Sequence, residues 1–320
     1  MKVTEHIQNA NGKTLFSFEI LPPLKGQNIQ SIFDAIDPLM EFNPAFIDVT
    51  YHREEYEYVE REDGLLEKRV VKKRPGTVGI CAAIQNKYGV DAVPHILCGG
   101  FSKEDTENFL IDIDFLGIHN VVALRGDAVK TETYFKPEKN GHAFAKDLVE
   151  QIVKMNHGTY LDESLENSAC TDFNIGVAGY PEKHMEAASL EQDIYHLKKK
   201  VEAGADYIVT QMFFDNQKYY DFVEKCRTSG INVPIISGLK PITTKSQLSM
   251  IPHRFKVDLP NELVIAIAKA KDNKEVKEIG INWCIQQSKD LMKNGAPVLH
   301  YYSMGKSEVV KRIASEVFKD

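Results

Sequence analysis

The sequence predicts a single (β/α)8 barrel, an α/β fold, and three observations favour this class. Short apolar runs typical of buried strands alternate with stretches of helical spacing along the chain. Eight strand–helix units fit within 320 residues, a length that accommodates one large barrel. No predicted strand is followed by a GxGxxG or GxxxxGKS/T motif, which disfavours a dinucleotide-binding sheet and a P-loop fold. We therefore treat residues 1–320 as one barrel domain.

Composition and charge exclude several classes of function. Hydrophobic residues make up 43% of the chain and charged residues 27%, as in ordinary globular proteins. The net charge of −7 does not favour nucleic-acid or anionic-membrane partners. No apolar stretch reaches the roughly 18 residues of a transmembrane helix, and residues 1–12 lack a signal-peptide apolar region. Five scattered cysteines without CxxC spacing argue against disulfides and a zinc site. We expect a cytoplasmic protein without a metal.

The first third of the chain contains three predicted strands. Residues 15–20 alternate apolar and polar side chains and end at Pro22-Pro23, which cannot continue a hydrogen-bonded ladder. Helical spacing follows over 28–42, and 45–51 is the second strand. Residues 52–75 are charged with few apolar anchors, which predicts a long mobile loop or a hairpin over one end of the barrel. A helix over 77–89 leads to the third strand, 91–98.

The remaining elements follow the same alternation. A capping-box-like start at Ser102 opens a helix that ends at Gly117. The later predicted strands are 120–127, 173–180, 207–214, 233–239 and 297–304. The later predicted helices are 142–157, 189–204, 216–229, 243–251, 260–271, 274–294 and 306–318, and the longer loops are 130–141 and 158–172.

The fourth strand, Asn120 to Asp127, stands out. Four apolar residues in a row predict a strand buried on both faces, and the run stops abruptly at Arg125-Gly126-Asp127. Charged residues around a glycine at a strand end are typical of a binding site, because glycine lets a ligand approach closely. The alternative is a surface turn closed by an incidental ion pair between Arg125 and Asp127.

The barrel topology predicts which residues share a cavity. The carboxyl ends of all eight strands meet at one face, where the active sites of such barrels lie. That face would carry Glu19, Thr50, Tyr51, His95, Arg125, Gly126, Asp127, Tyr180 and Gln211. Glu19 and Asp127, distant in sequence, should therefore face one site.

Individual candidates carry competing interpretations. Apolar neighbours of Glu19 would favour a protonated carboxyl group, which suits a general acid; a strand-end Glu in solvent is the alternative. His95 taken alone is more often a satisfied core histidine. Gln211 offers a donor and an acceptor to a heterocycle edge. Lys240 follows the seventh strand and could form a Schiff base, although an exposed lysine is the more common case.

Six motifs in order resemble the 5,10-methylenetetrahydrofolate reductase family. They are Ser17-Phe-Glu-Ile-Leu-Pro-Pro23, Asp48-Val-Thr-Tyr51, Pro94-His95, Ala123-Leu-Arg-Gly-Asp127, Gly179-Tyr-Pro-Glu182 with His184, and Thr210-Gln-Met-Phe-Phe-Asp215. The resemblance runs from about residue 14 to the end of the sequence. It implies a barrel that binds FAD non-covalently and reduces methylenetetrahydrofolate to 5-methyltetrahydrofolate with NADH or NADPH.

The resemblance also assigns roles to residues. It implies that Glu19 is the general acid and that Asp127 is the carboxylate beside flavin and folate. The implied folate contacts also include Gln211, Gln247 and Lys306. The implied FAD contacts are Thr50, Tyr51, His95, Leu124, Arg125, Gly126, Asp127, Ala145, Tyr180, His184, Asp193, His196 and Lys200.

The sequence departs from the family pattern in three places. Residues 54–75 are longer and more charged than the usual segment, and Ile251 stands where relatives place an aromatic contact. The sequence ends soon after the barrel, so we expect no feedback by adenosylmethionine, which eukaryotic members bind in a second domain. We expect small-molecule substrates, a homo-oligomer, and neither nucleic-acid nor membrane partners. The rival interpretations are another barrel flavoenzyme resembling proline dehydrogenase, a lysine-dependent aldolase, or an inactive flavin- or pterin-binding barrel.

Overall fold

Eight parallel strands close into a barrel in the computed structural model, which describes residues 1–129, 132–305 and 307–319. The order around the barrel is β1, β10, β9, β8, β7, β6, β5, β2 and back to β1, and every neighbouring pair is parallel. The barrel strands are β1 (Leu15–Ile20), β2 (Phe46–Val49), β5 (Asp91–Leu97), β6 (Asn120–Leu124), β7 (Asn174–Gly179), β8 (Tyr207–Thr210), β9 (Ile235–Leu239) and β10 (Val298–Tyr302). The predicted (β/α)8 fold is confirmed.

Helices surround the barrel, as parallel strands require crossover connections. They are α1 (Val3–Asn9), α2 (Gln30–Ile36), α3 (Val78–Tyr88), α4 (Lys103–Phe115), α5 (Ala145–Asn156), α6 (Leu190–Glu202), α7 (Asn216–Thr228), α8 (Gln247–Phe255), α9 (Asn261–Lys269), α10 (Asn273–Lys293) and α11 (Ser307–Val317). A 3-10 helix at Asp37–Phe42 continues α2, so the single helix predicted over 28–42 is wrong in detail. Pro38 at its start lacks the N–H that an unbroken α-helix would use. No described helix is long and apolar enough to cross a membrane.

Helix α1 closes the amino-terminal end of the barrel, an element that the sequence did not predict. Val3 is fully buried against the residues that fill the barrel interior. Its backbone N–H donates to Asn120 Oδ1 at 2.8 Å, and the Thr4 N–H donates to Asn174 Oδ1 at 3.3 Å. The helix is therefore held by side chains at the starts of β6 and β7.

Residues 52–75 form an antiparallel hairpin outside the barrel. Its strands are β3 (Glu55–Glu60) and β4 (Leu66–Val71), so of the two predicted alternatives the hairpin is confirmed. Lys72 Nζ donates to Tyr51 Oη at 3.0 Å, and Arg74 donates to the Pro22 carbonyl oxygen. These contacts hold the base of the hairpin over the carboxyl ends of β1 and β2.

Strand β8 is shorter than the predicted 207–214 because the chain leaves the sheet after Thr210. Met212 and Phe214 pack instead in a second apolar cluster with Ile251. Trp283 Nε1 donates to the Phe214 carbonyl oxygen at 3.0 Å. A continuous apolar run is compatible both with a buried strand and with a segment that packs outside the sheet. The apolar pattern therefore overestimated the length of this strand.

Candidate active site

A cavity of about 1220 Å³ opens at the carboxyl ends of the barrel strands. Its wall includes every described residue for which the sequence predicted a catalytic, cofactor or substrate role. These are Glu19, Thr50, Tyr51, His95, Leu124, Arg125, Gly126, Asp127, Ala145, Tyr180, His184, Asp193, His196, Lys200, Gln211 and Gln247. Lys306 lies outside the described residues. The structure brings the others together, and their individual roles stay predictions.

Glu19 lies near the end of β1 and is 9% exposed. Thr50 Oγ1 donates to Glu19 Oε1 at 2.7 Å, and His95 Nε2 lies 3.8 Å from Glu19 Oε2. The apolar surroundings expected for this carboxyl group are therefore wrong in part. Alternation in β1 places Phe18 and Ile20 on the opposite face of the strand, so they pack with the helices and Glu19 faces polar groups inside the barrel.

His95 links two carboxyl groups. Its Nε2 lies 3.3 Å from Asp48 Oδ2 as well as 3.8 Å from Glu19. Burial disfavours the charged imidazole, but the hydrogen bond to Asp48 and the charges of Glu19 and Asp48 outweigh it and raise the pKa of His95. His95 is thus a buried histidine with a partner and also part of the cavity wall.

Asp48 and His300 belong to the same buried group, although the sequence analysis gave neither a role. Asp48 is 1% exposed and His300 is fully buried. His300 Nε2 lies 3.9 Å from Asp48 Oδ2, and Ser17 Oγ lies 2.9 Å from His300 Nδ1. The sequence did contain a signal, because Asp48 stands in an otherwise apolar strand and a buried carboxylate needs a partner.

The turn after β6 presents Asp127 to the cavity. Arg125 Nη1 forms an ion pair with Glu186 Oε2 at 2.6 Å, so the incidental ion pair between Arg125 and Asp127 is not observed. The Asp127 carboxylate is exposed and forms no hydrogen bond or ion pair within residues 1–129, 132–305 and 307–319. Gly126 has φ +82°, a conformation that favours glycine and that lets the chain reverse here.

One wall of the cavity is built from β7 and α6. The His184 N–H donates to Asp193 Oδ2 at 2.8 Å, and the Tyr180 and His184 rings meet edge to face at 4.8 Å. Lys200 Nζ donates to the Ala178 carbonyl oxygen at 2.6 Å. Burial lowers the pKa of Lys200 to about 8 and also lowers the pKa of His184. This wall therefore offers a lysine whose charged form an anion would stabilise.

Two predicted folate contacts, Gln211 and Gln247, bond to nearby backbone groups, and Ile251 does not reach the cavity. Gln211 Oε1 accepts from the Met212 N–H at 2.9 Å, and Gln247 Oε1 accepts from the Thr243 N–H at 2.7 Å. Their carboxamide oxygens are thus used to hold local backbone. Ile251 is fully buried behind the cavity, and Phe255, one turn further along α8, lines the wall.

The residues present fit a bound dinucleotide such as FAD. The cavity exceeds the ~300–1,000 Å³ of typical small-molecule sites, which leaves room for a cofactor beside a substrate. Arg125 and Lys200 supply positive groups for phosphates, and Tyr180 and His184 supply flat surfaces.

Comparison with known proteins identifies the family. The family model for methylenetetrahydrofolate reductase matches residues 2–317. The chain is 30% identical over 308 residues to the 5,10-methylenetetrahydrofolate reductase of Escherichia coli, covering 96% of this chain and 92% of that protein. It is 34% identical over 316 residues to methylenetetrahydrofolate reductase (NADH) 1 of Arabidopsis thaliana, covering 95% of this chain and 48% of that protein.

Some relatives are much longer than this chain, and one solved structure shares the fold at low sequence identity. The chain spans about half the length of the plant and yeast relatives it matches, including methylenetetrahydrofolate reductase 1 of Schizosaccharomyces pombe at 32% identity, with 98% of this chain and 48% of that protein covered. A solved structure of a Clostridium thermocellum protein, described as binding two copies of 5-methyl-5,6,7,8-tetrahydrofolic acid, shares the fold with a TM-score of 0.56. That likeness covers 98% of this chain and 97% of the other at 13% identity. On the family match and the Escherichia coli relative, this chain belongs to the methylenetetrahydrofolate reductase family.

Proposed function

We propose that this protein reduces 5,10-methylenetetrahydrofolate to 5-methyltetrahydrofolate with bound FAD, taking electrons from NADH or NADPH in a ping-pong cycle. The observation that carries the proposal is that Glu19 and Asp127, 108 positions apart by their numbers, line one cavity together with the predicted cofactor contacts. Family membership supports the substrate. The names of the Arabidopsis and maize relatives support NADH as donor.

FAD, when bound, would supply the hydride transfer between the nicotinamide and the folate. The chain would hold its phosphates with Arg125 and Lys200. Tyr180 and His184 would pack against the cofactor, and Asp193 would fix His184 through the 2.8 Å hydrogen bond. The other predicted FAD contacts, which also line the cavity, would complete the cofactor surface.

Glu19 would act on the folate as a general acid. Its proton would pass to N10, the bond between N10 and the methylene carbon would break, and the methylene group would become an electrophilic iminium ion. Thr50 Oγ1 holds Glu19 Oε1 at 2.7 Å and so orients the other carboxyl oxygen. General acids of this kind contribute ~10²–10⁴-fold to rate.

Asp127 would stabilise the positive charge that develops on the folate. Its carboxylate lines the cavity and has no ion-pair partner among the described residues, so its charge is not already neutralised. An anion held in place where a cation forms lowers the barrier without reorganisation during the reaction.

Spectroscopy of the purified protein tests the proposal. We expect a yellow protein that NADH or NADPH bleaches under anaerobic conditions and that methylenetetrahydrofolate then restores to the oxidised spectrum. Proline added to the oxidised protein should leave the yellow spectrum unchanged, whereas a proline dehydrogenase-like enzyme would be bleached by proline. A colourless protein trapped by borohydride with its substrate would indicate an aldolase, and a yellow protein without turnover would indicate an inactive binding barrel.

Two related predictions accompany the proposal. We expect a homo-oligomer, which light scattering would measure, and a cytoplasmic location, which fractionation of the source cells would measure. Neither follows from the geometry of the cavity.

A further inference from the structure

Four titratable side chains cluster inside the barrel, and three of them, Glu19, Asp48 and His95, line the cavity. Glu19, Asp48, His95 and His300 come from β1, β2, β5 and β10, which are neighbours around the barrel. None is more than 9% exposed. Among the described residues no group of three or more His, Cys, Asp or Glu is arranged to hold a metal ion. The cluster is therefore a set of acids and bases that interact with one another.

The geometry places His95 between the two carboxyl groups. One atom, Nε2, lies 3.3 Å from Asp48 Oδ2 and 3.8 Å from Glu19 Oε2. A proton on this nitrogen is shared with Asp48 and lies one small movement from Glu19. His95 also lines the cavity, so water can reach the ring when no ligand covers it.

Asp48 is incompletely satisfied. Its Oδ1 has no hydrogen-bond partner among the described residues, and His300 Nε2, 3.9 Å from Oδ2, has none either. Removing a carboxylate from water costs several kcal/mol unless an opposite charge accompanies it. The group in position to provide that charge is His95, which makes the protonated imidazole the natural partner of Asp48.

The other groups facing His95 reinforce this assignment. They are Asp48, Glu19, His300 and His52. Burial lowers the pKa of both His300 and His52, so these rings are neutral where His95 is charged. The positive charge in this part of the barrel is thus concentrated on one imidazole.

We propose that Asp48 and His95 reload Glu19 with the proton it loses in each turnover, an inference that rests on the proposed function. When N10 takes the proton of Glu19, a carboxylate remains. The Nε2–H bond of His95 then breaks, an O–H bond forms at Glu19 Oε2, and His95 becomes neutral while Asp48 stays an anion. His95 regains a proton from water after the product leaves. Asp48 is a positioning residue here, since it acts through His95.

Replacement of Asp48 by Asn tests the proposal through two measurements. The first follows the imidazole of His95 by nitrogen-15 NMR of histidine-labelled protein as a function of pH. The second follows the rate of methylenetetrahydrofolate reduction over the same pH range. In Asp48→Asn we expect the titration of His95 and the alkaline fall of the rate to move together to lower pH by about one unit or more, the size typical of losing a charge ~4–6 Å away.

A matched control exists at the opposite end of the barrel. Asp91, at the start of β5, pairs with His6 Nε2 at 2.7 Å. Asp91→Asn makes the same chemical change in another His–Asp pair, and it should leave both the titration of His95 and the pH profile unchanged. A shift in this control as large as that in Asp48→Asn would show a general effect of the substitution and overturn the proposal.

A second variant keeps the proposal testable if Asp48→Asn does not fold. His95→Gln retains a hydrogen-bond donor but stores no proton. The ratio of the wild-type rate of methylenetetrahydrofolate reduction to the rate of this variant should be largest at low pH, where His95 is charged, and smallest at high pH. A ratio that does not vary with pH would contradict the relay, as would an unmoved titration of His95 in Asp48→Asn. If the wild type fails to reduce methylenetetrahydrofolate at all, the proposed function fails, whereas the NMR titration still decides whether Asp48 keeps His95 charged.

Discussion

The two ends of the barrel use similar polar residues for different purposes. At the amino-terminal end, α1 covers the barrel, and Asn120 and Asn174 bond its backbone N–H groups. At the carboxyl end, a large cavity is lined by charged and polar side chains, and Asp127 has no bonded partner in the described part of the chain. The polar groups at the amino-terminal end form hydrogen bonds within the fold, whereas polar groups at the carboxyl end remain able to bind a ligand.

Two His–Asp pairs, His6–Asp91 and His95–Asp48, each have one member on β5 and show this contrast. Burial alone would raise the pKa of Asp91, but hydrogen bonds from His6 and the terminal amino group outweigh it, so the pKa is lowered. Asp48, on the neighbouring strand β2, keeps one oxygen without a partner in the described structure. A satisfied pair stabilises the fold, whereas an incompletely satisfied pair is available for chemistry.

The largest expected effect on activity comes from a substitution at the carboxyl end of the barrel. Glu19→Gln should slow methylenetetrahydrofolate reduction by about 10²-fold or more, because an amide cannot supply the proton for ring opening. Reduction of the flavin by NADH should proceed at the normal rate, since that step needs no proton on the folate. Stopped-flow measurement of both half-reactions checks this. Equal slowing of the two would mean that Glu19 is structural.

Asp127→Asn should give the next largest effect. The amide is isosteric, so the turn and the bound FAD should persist while folate reduction slows by roughly ten- to hundredfold, which corresponds to about 1.4–2.7 kcal/mol of lost charge attraction. The flavin should become easier to reduce, because a nearby anion has been removed. The rate and the flavin potential should be measured on one preparation.

The arrangement of Arg125 sharpens this second test. Because Arg125 pairs with Glu186, loss of Asp127 should not release it. Glu186→Gln is the matched control, since it removes the same charge from the partner of Arg125. Loss of FAD and of thermal stability in Asp127→Asn, with the potential unchanged, would contradict an electrostatic role for this residue.

The affinity for FAD should depend on pH through Lys200. Burial lowers the pKa of this lysine to about 8 in the free protein, and a bound phosphate favours the charged form. Binding should therefore be level below about pH 8 and weaken by up to about tenfold per pH unit above it. Fluorescence titration with FAD measures this. Lys200→Arg stays charged and should flatten the curve, and an equally steep curve in that variant would exclude Lys200 as the cause.

The smallest kinetic effect is expected at the amino-terminal end. Asn120→Ala removes the hydrogen bonds to the Val3 N–H and the Met1 carbonyl oxygen. The free energy of unfolding should fall by about 1–3 kcal/mol, because a buried N–H loses its partner. Both half-reactions should keep their rates in folded protein. Chemical denaturation and stopped-flow kinetics check the two parts, and slowed folate reduction would break the proposed division between the ends.

The sequence was sufficient for the barrel and for placing the predicted site residues at one cavity. Buried parallel strands are continuous apolar runs, and parallel topology brings their carboxyl ends together. Glu19 and Asp127 could therefore be placed in one cavity without knowing how the intervening chain folds. The motifs around Tyr180 and Gln211 then identified the family to which this chemistry belongs.

Other features could not be read from local pattern. Helix α1 has only Val3 and Ile7 as apolar residues in a seven-residue element, too little for a helical period. The partner of Arg125 lies 61 positions away, and charge alone does not reveal a pair. His300 and Asp48 meet because β10, β1 and β2 are adjacent in the closed sheet, and the distances within such a cluster depend on the exact register.

In the proposed reaction, Glu19 and Asp127 act on one bound folate at the carboxyl end of the barrel. A crystal structure of the protein with FAD and 5-methyltetrahydrofolate tests it most directly. We predict that the Glu19 carboxyl group lies within hydrogen-bond reach of folate N10, about 2.6–3.2 Å or through one water, and that Asp127 faces the pterin. A folate bound in this cavity with N10 turned away from Glu19, or bound elsewhere on the protein, would contradict the account.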